Sequence, residues 1–454
     1  MSDDPSLANS FAGLRVPAGR LSRASRIGGV SARIAGAVIG GGAREILAGR
    51  KPDPRALLLT PANARRLTEE LARMRGAAMK MGQLLSMEAS DLLPAELAEI
   101  LARLRDDAHV MPPAQLKTVL ERAYGRGFLK AFSRFEPRPV AAASIGQVHR
   151  AETRDGRLLA LKIQYPGVRA SIDADVSNLG ALLRLSGLLP KGFELGPFLD
   201  EARRQLHEEA DYAREARELA RFGALLADQQ DVVVPALQQD HCAEGILAMD
   251  FVESAPIETL EQAPQSLRDR AISRLFEIFL KEALEWHVVQ TDPNFANFRI
   301  QPETGRLVLL DFGAARPVPV RIADICAQLM VTALKHDTGE VMSGLRDLGV
   351  LPQELSRGQQ GSIERMIGLV LEMLDHEVVD FADPRRLGSL RDEGMQLGLE
   401  EGFRHIPPWD VLYIQRKLAG LVLLATRLGA QVRLRALVEQ AVEDAPPAQA
   451  VATP

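Results

Sequence analysis

A helical spacing of apolar residues first becomes regular near residue 62. Leu67, Leu71, Met74, Ala78, Met81, Leu84 and Leu85 then fall mostly three and four positions apart, which puts them on one helix face. Pro94 and the pair Pro112 and Pro113 divide residues 62–124 into three predicted helices. From about Phe135 to Glu253 the pattern shortens to that of strands. Residues 140–151 and 157–164 flank Asp155 and Gly156, which predicts a hairpin, and 232–237 and 245–251 predict two further strands. Residues 194–227 predict one long helix rich in Glu and Arg. Beyond Ile257 the pattern is mostly helical, broken by a strand–turn–strand segment over 298–312. The Pro- and Ala-rich end predicts a disordered tail.

Apolar residues make up 46% of the 454, ample for a core divided between two lobes. The formal charge of −5 argues against a dedicated nucleic-acid binder, but it averages two unlike parts. Residues 5–44 contain no acid and six arginines (Arg15, Arg20, Arg23, Arg26, Arg33, Arg44) among glycines and small apolar residues; the remainder carries −11. This leader reads either as a segment that orders against anionic lipid or a partner, or as a flexible basic arm. Two cysteines, Cys242 and Cys326, exclude a disulfide scaffold and a multi-cysteine zinc module. The start lacks a secretory pattern, and the most apolar stretches, 34–43 and 418–426, are about half of what a bilayer requires. The expected compartment is the reducing cytosol, without a transmembrane helix and with a peripheral position on the inner membrane open to the leader.

The densest polar signal is Gln290-Thr-Asp-Pro-Asn-Phe-Ala-Asn297 followed by Leu309-Leu-Asp-Phe-Gly313. Asp292 and Asn297 are five apart, the spacing of the base and the metal-binding Asn in a kinase catalytic loop. Asp311 follows at the head of Asp-Phe-Gly. A hairpin over 298–310 would return Asp311 beside the first loop. Asn297 and Asp311 are then hard oxygen ligands for Mg²⁺ on a triphosphate. Asp292 would orient an attacking hydroxyl or water. Asp and Gly are common in ordinary turns, so the ordered set with its spacing carries the reading.

A lysine on a strand should accompany this set, and Leu158-Leu-Ala-Leu-Lys-Ile163 places Lys162 inside a buried pattern where an ammonium needs a partner. Candidate partners lie in Glu208-Glu-Ala-Asp-Tyr-Ala-Arg-Glu-Ala216, where Glu208, Asp211 and Glu215 can share a helix face and Glu209 points about 100° away from Glu208. Alone, such a cluster is usually a solvated charged face. Ahead of Lys162, Pro139-Val-Ala-Ala-Ala-Ser-Ile-Gly-Gln-Val-His149 occupies the place of a phosphate loop with alanines for most glycines, which makes it stiffer. Main-chain N–H groups around Ala142, Ala143 and Ser144 are candidate phosphate donors. No P-loop motif is present. Lys80-Met-Gly-Gln83 puts Lys80 and Gln83 on one face of a helix, by itself an ordinary polar patch.

These motifs, in this order, resemble the UbiB/AarF-type atypical kinase-like family, whose eukaryotic members support coenzyme Q synthesis. Lys80-Met-Gly-Gln83 with Asp91-Leu-Leu-Pro94 is similar to its Lys-x-Gly-Gln signature, Ala141-Ala-Ala-Ser144 to its alanine-rich nucleotide loop, and Glu209-Ala-Asp211 to its Glu-x-Asp motif. The resemblance implies Glu215 as the helix partner of Lys162. It also implies Lys80 paired with Glu209 or Asp211, docking N-terminal helices across a nucleotide cleft. Many bacterial members carry His-x-Asp-Pro-His-Pro-Gly-Asn where this chain has Gln290 through Asn297. The version here is more similar to the mitochondrial coenzyme Q branch, with Gln-Thr-Asp-Pro-Asn and then an aromatic, Phe295.

The expected fold is α+β and protein-kinase-like with two lobes: a basic leader (1–60), a helical extension over the cleft (61–134), a β-rich lobe (135–252), a helical lobe (253–440) and a tail (441–454). Main-chain groups near Asp250 and Val252 should meet the adenine, and Ala141–Ser144, Lys162, Glu215, Lys80, Gln83, Glu209 and Asp211 line the nucleotide site. Asp292 and Lys162 are the catalytic pair, with ATP or ADP and Mg²⁺ as cofactors. The leading expectation is a kinase-like ATPase assisting ubiquinone biosynthesis, with an anionic membrane surface and quinone-biosynthesis proteins as partner candidates. A phosphotransferase acting on a lipid or small molecule, and a nucleotide-binding pseudokinase that switches a partner complex, are the alternatives.

Overall fold

Alternation along one strand organises the first unit of the chain. In the computed structural model, residues 80–81, 110–185 and 194–446 are described, and the fold divides into two compact units. The leader, Gln83, most of the helical extension and the last eight residues of the tail lie outside the described residues. The first unit includes the described residues up to Ala220 together with Ala236–Phe251. Its sheet is built from β1 (Phe132–Phe135), β2 (Ala141–Ala142), β3 (Gly146–Thr153), β4 (Leu158–Gln164) and, from further along the chain, β6 (Ile246–Asp250). The order is β1-β3-β4-β6, all antiparallel, with β2 folded back on β3. Glu152 pairs with Leu158 beside the expected Asp155–Gly156 turn, where Gly156 adopts φ +86°. A positive φ is what glycine tolerates and other residues resist.

On β4, Leu159, Leu161 and Ile163 point to one face and are fully buried. They join Met111, Leu116, Leu120, Phe128 and Phe132 in the core under α1 (Pro113–Tyr124). Each fully buried Leu or Ile contributes about 1.5–3 kcal/mol. Lys162, one residue out of phase, therefore faces the other side of the sheet. The expected single strand over 140–151 is split: the main-chain N–H of Ala143 donates to the Gly146 carbonyl at 2.9 Å, closing a turn through Ser144 and Ile145. Gly146 then passes so near β4 that a Cβ there would lie 2.5 Å from the Ile163 carbonyl oxygen.

The expected long helix over 194–227 is also two. After α2 (Val168–Leu185), α3 (Gly196–Glu209) stops and α4 (Tyr212–Leu225) starts afresh. Asp211 causes the break: its carboxylate accepts from the Arg214 N–H at 3.0 Å, an N-cap in the middle of an otherwise helical sequence. Gln164 pins the break by donating its side-chain amide to the Ala210 carbonyl at 2.8 Å. Glu208, Asp211 and Glu215 accordingly do not share one continuous face.

The second unit takes Arg221–Pro235 and the chain from Val252 onward. Its largest sheet has the order β5 (Val232–Val233), β10 (Leu307–Leu309), β9 (Phe298–Ile300), β7 (Ala255–Pro256), with β5 parallel to β10 and the rest antiparallel. The strand expected over 232–237 shrinks to two residues, because Pro235 offers no N–H to a ladder. The hairpin expected between Phe298 and Phe312 is present as β9 and β10, turning through Gly305 at φ +67°. A separate ladder joins β8 (Val288–Gln290) to β11 (Ala315–Pro317), pairing Gln290 with Ala315. Helices α5 (Gln265–Leu284), α6 (Val320–Leu334), α7 (Thr338–Asp347), α8 (Arg357–Asp375), α9 (Pro384–Met395), α10 (Trp409–Leu428) and α11 (Leu434–Asp444), with the pair β12 (Val379–Asp380) and β13 (Gln431–Val432), complete it. No described helix is long and apolar enough to cross a membrane.

Candidate active site

Lys162 reaches Glu215 on α4, with 2.6 Å between Nζ and Oε1. Glu215 is 3% exposed and Lys162 12%. The Tyr212 ring lies 5.4 Å from the same ammonium. Of the four acids between Glu208 and Glu215, the break at Ala210 selects which one meets Lys162. Asp211 is engaged as the α4 cap, and Glu208 pairs with Arg204 and Arg214 on the surface. Glu209 turns elsewhere. One of its oxygens pairs with Lys80, and the other accepts from the Ser144 hydroxyl at 2.6 Å. Of the two partners open to Lys80, the structure thus chooses Glu209.

Ala141 and Ala142 form β2 and are exposed. Ala143 has its N–H committed to Gly146, and Ser144 has its hydroxyl committed to Glu209. Asp250 ends β6; its N–H donates to the Ala236 carbonyl and the Phe251 N–H donates to Leu158, both within 3 Å. The Asp250 carboxylate accepts from Gln238 at 2.6 Å. In the second unit the Val252 carbonyl accepts from the Ser254 hydroxyl.

The acids and amides of the catalytic-loop motif converge within the second unit. The Asn297 side-chain N–H donates to Asp292 Oδ2 at 3.1 Å and to the Asp292 carbonyl at 3.2 Å. That orientation turns the Asn297 amide oxygen away from Asp292, free to face a cation. Asp311 Oδ1 accepts from the Gly313 N–H at 2.9 Å. Phe312 packs inward, its ring stacked on Phe222 of α4 with centroids 4.6 Å apart. One carboxylate and one amide oxygen form an oxygen-only donor pair, and no group of three or more His, Cys, Asp or Glu able to hold a metal occurs among the described residues. This fits Mg²⁺, which usually takes one or two protein oxygens and completes its shell with phosphates and water.

Three contributors come from outside the motifs, all on α10. Lys417 donates to Gln290 Oε1 at 3.1 Å, lies 4.0 Å from Glu282 of α5 and stands 5.0 Å from the Phe298 ring centroid. Gln290 uses its other end to donate to the Asp311 carbonyl at 3.1 Å. The residue that departs from the bacterial pattern is thus a bridge between a buried cation and the Asp-Phe-Gly turn. Burial pushes the Glu282 carboxyl up to about 7, eased by Lys417, and pushes the Lys417 ammonium down, eased by Glu282 and Asp292. Arg416 places Nη2 3.3 Å from Asp292 Oδ1. Gly420, one turn on, abuts Pro293 so closely that any Cβ would overlap it. The sequence offered one signal for these residues, two adjacent cations in the middle of a mostly apolar helix; nothing in it tied that helix to the loop.

Comparison with known proteins gives this geometry its family. Residues 103–345 match the ABC1 atypical kinase-like domain. The chain is 35% identical over 442 residues to the Caenorhabditis elegans atypical kinase coq-8, mitochondrial, covering 94% of this chain and 58% of the worm protein's length. It is 35% identical to the Saccharomyces cerevisiae atypical kinase COQ8, mitochondrial, covering 94% of this chain and 85% of that one. The Danio rerio atypical kinase COQ8B, mitochondrial, is 33% identical, with 93% of this chain and 68% of its own covered. The solved complex of Rv3197 with erythromycin, from Mycobacterium tuberculosis, shares the fold at a TM-score of 0.58 and 24% identity, over 84% of this chain and 95% of that one. The α+β arrangement is therefore kinase-like, and the chain belongs to the ABC1 atypical kinase-like family.

Proposed function

We propose that the chain is an ATP- and Mg²⁺-dependent kinase-like ATPase that supports isoprenoid-quinone biosynthesis. The observation that carries this reading is the Lys162–Glu215 ion pair, because a lysine placed in a strand and fixed by a helical Glu is how kinases hold the α- and β-phosphates. Asn297 and Asp311 would hold Mg²⁺ by their oxygens, and the ion would supply charge neutralisation on the phosphates. Asp292, steadied by Asn297, would accept the proton of the attacking hydroxyl or water. The pairing of Glu209 with both Lys80 and Ser144 ties the alanine-rich turn to the Lys-x-Gly-Gln segment. That tie supports ATP turnover in place over recruitment of a large protein substrate. The quinone pathway enters through the worm, yeast and fish relatives named as COQ8 kinases and through the Gln290-to-Phe295 variant of the loop. The anionic inner-membrane surface is the proposed place of work, with the basic leader as its contact.

Calorimetric titration of the purified chain with ADP and Mg²⁺ tests the reading. Binding is expected in the wild type and loss of its Mg²⁺ dependence in Asp311→Asn. Absence of binding by folded wild-type protein would sink it. Failure of wild type, as well as of Asp311→Asn, to restore the quinone pool of a deletion strain would remove the pathway from the proposal.

A further inference from the structure

Phosphoryl transfer places negative charge on the transferring group, and sites that accelerate it bring a cation to that group. The loop from Val288 to Asn297 contains no lysine or arginine. The cations nearest to it in the second unit are mostly committed. Lys417 is buried against Gln290 and Glu282, Arg427 pairs with Glu258 and Glu261, and Arg299 is engaged by Ser254. Arg316 lies over the Tyr413 ring.

Arg416 differs from all of these. Among the described residues its only polar contact is the single 3.3 Å bond from Nη2 to Asp292 Oδ1, although a guanidinium has five N–H donors. Its side chain is 11% exposed, and none of its nitrogens is buried without a partner, so the remaining donors open to solvent beside Asp292. The helix beneath it is fixed: Lys417 anchors α10 to Gln290, and Gly420 lets it close onto Pro293. The position of Arg416 is thus set by packing, whereas its head group is held by one long bond.

Asp292 has both carboxylate oxygens occupied, Oδ2 by Asn297 and Oδ1 by Arg416. With about four lone-pair sites, the carboxylate keeps room for a proton while both bonds are made, and the longer, single-point bond to Arg416 is the weaker of the two. We propose that Arg416 is the cation that meets the γ-phosphate of ATP, resting on Asp292 until the nucleotide arrives. In the transfer the bond between the γ-phosphorus and the ADP oxygen breaks as the bond to the acceptor oxygen forms, and the acceptor's proton passes to Asp292. Arg416 offsets the charge on the transferring group, and its departure from Asp292 leaves that carboxylate a stronger proton acceptor. This assignment rests on the ATP reading above.

The test compares ADP with a non-hydrolysable ATP analogue, both with Mg²⁺, on wild type, Arg416→Gln and Arg416→Lys whose folding is confirmed by melting. Arg416→Gln is expected to weaken the ATP analogue at least about tenfold, to leave ADP within about twofold, and to slow hydrolysis about 10²–10³-fold. Arg416→Lys should recover part of both losses, since it keeps the charge without the fork. Equal weakening of ADP and the analogue, or no change in either, overturns the assignment. Wild type that binds neither nucleotide defeats the ATP reading itself. Wild type that binds both equally, with Arg416→Gln unchanged, defeats only the role of Arg416.

Discussion

Glu282 and Lys417 face each other 4.0 Å apart in the interior of the second unit, their side chains 2% and 5% exposed. Removing one member of such a pair strands a charge in a low-dielectric interior, whereas replacing both by apolar groups is often harmless. Lys417→Met is therefore expected to cost about 3–5 kcal/mol of unfolding free energy. The double variant Lys417→Met/Glu282→Leu should regain most of it, as urea unfolding followed by circular dichroism would show. A double variant as unstable as the single one would contradict the pairing.

The same carboxyl makes stability depend on pH. Its folded-state pKa, about 7, lies above the unfolded value of 4.5, so the folded state binds the proton more tightly. The stability it confers is complete below about pH 4.5 and is lost as pH rises to about 7, after which its contribution is level. The unfolding free energy of wild type minus that of Glu282→Gln should fall across this window. A flat difference would show that Glu282 is ionised throughout.

Much of this site was legible in the residues themselves. The five-residue spacing of Asp292 and Asn297, the hairpin returning Asp311 and the strand carrying Lys162 follow from local periodicity and turn chemistry, which a sequence displays directly. The break at Ala210 was not legible, because Asp211 is as good an N-cap as it is a member of a charged helix face, and only the Gln164 contact with Ala210 decides between them. Glu215 could accordingly be matched to Lys162 only by resemblance. Arg416 and Lys417 lie more than a hundred residues beyond the loop they serve, and no periodicity encodes that meeting.

Gly146 gives a test of the close approach between β3 and β4. A methyl group there would sit 2.5 Å from the Ile163 carbonyl oxygen and 2.9 Å from the Tyr212 hydroxyl. The first neighbour is backbone in the centre of a sheet and cannot turn aside. Gly146→Ala should lower stability by about 1–3 kcal/mol, as overpacked cores do. It should also displace Tyr212 from Lys162, visible as weaker nucleotide binding in the folded fraction.

His149 predicts a pH effect of opposite sign. It is fully buried on β3, its Nδ1 donating to the Glu136 carbonyl at 2.8 Å and its Nε2 accepting from Gln147 at 2.7 Å, which fixes a neutral ring. Burial holds its pKa below the usual 6.5. Above 6.5 the ring is neutral both folded and unfolded, and below it the unfolded chain gains a proton that the folded one resists. Stability should thus fall as pH drops from about 6.5 toward the lower folded value, and His149→Gln should lose this dependence in thermal melts.

Gln290 offers the sharpest comparison with the loop that carries histidine at its position. Its amide accepts from Lys417 and donates to the Asp311 carbonyl, so the site requires one acceptor and one donor on a single side chain. A neutral imidazole supplies the same two functions, one on each nitrogen. Glutamate supplies only acceptors and would set its oxygen against the Asp311 carbonyl; leucine supplies neither. Gln290→His should then keep ATP hydrolysis at neutral pH within about threefold of wild type, whereas Gln290→Glu and Gln290→Leu should lose about tenfold or more, of the order of one or two hydrogen bonds to a charged partner. Protonation would turn the imidazole into a double donor facing the Lys417 ammonium. Burial and the Lys417 ammonium both disfavour that protonation, so the rate of Gln290→His should follow wild type near neutral pH and fall relative to it only well below about pH 6.5. A histidine variant as impaired as the leucine one would show that the bridge between Lys417 and Asp311 does not hold the loop for turnover.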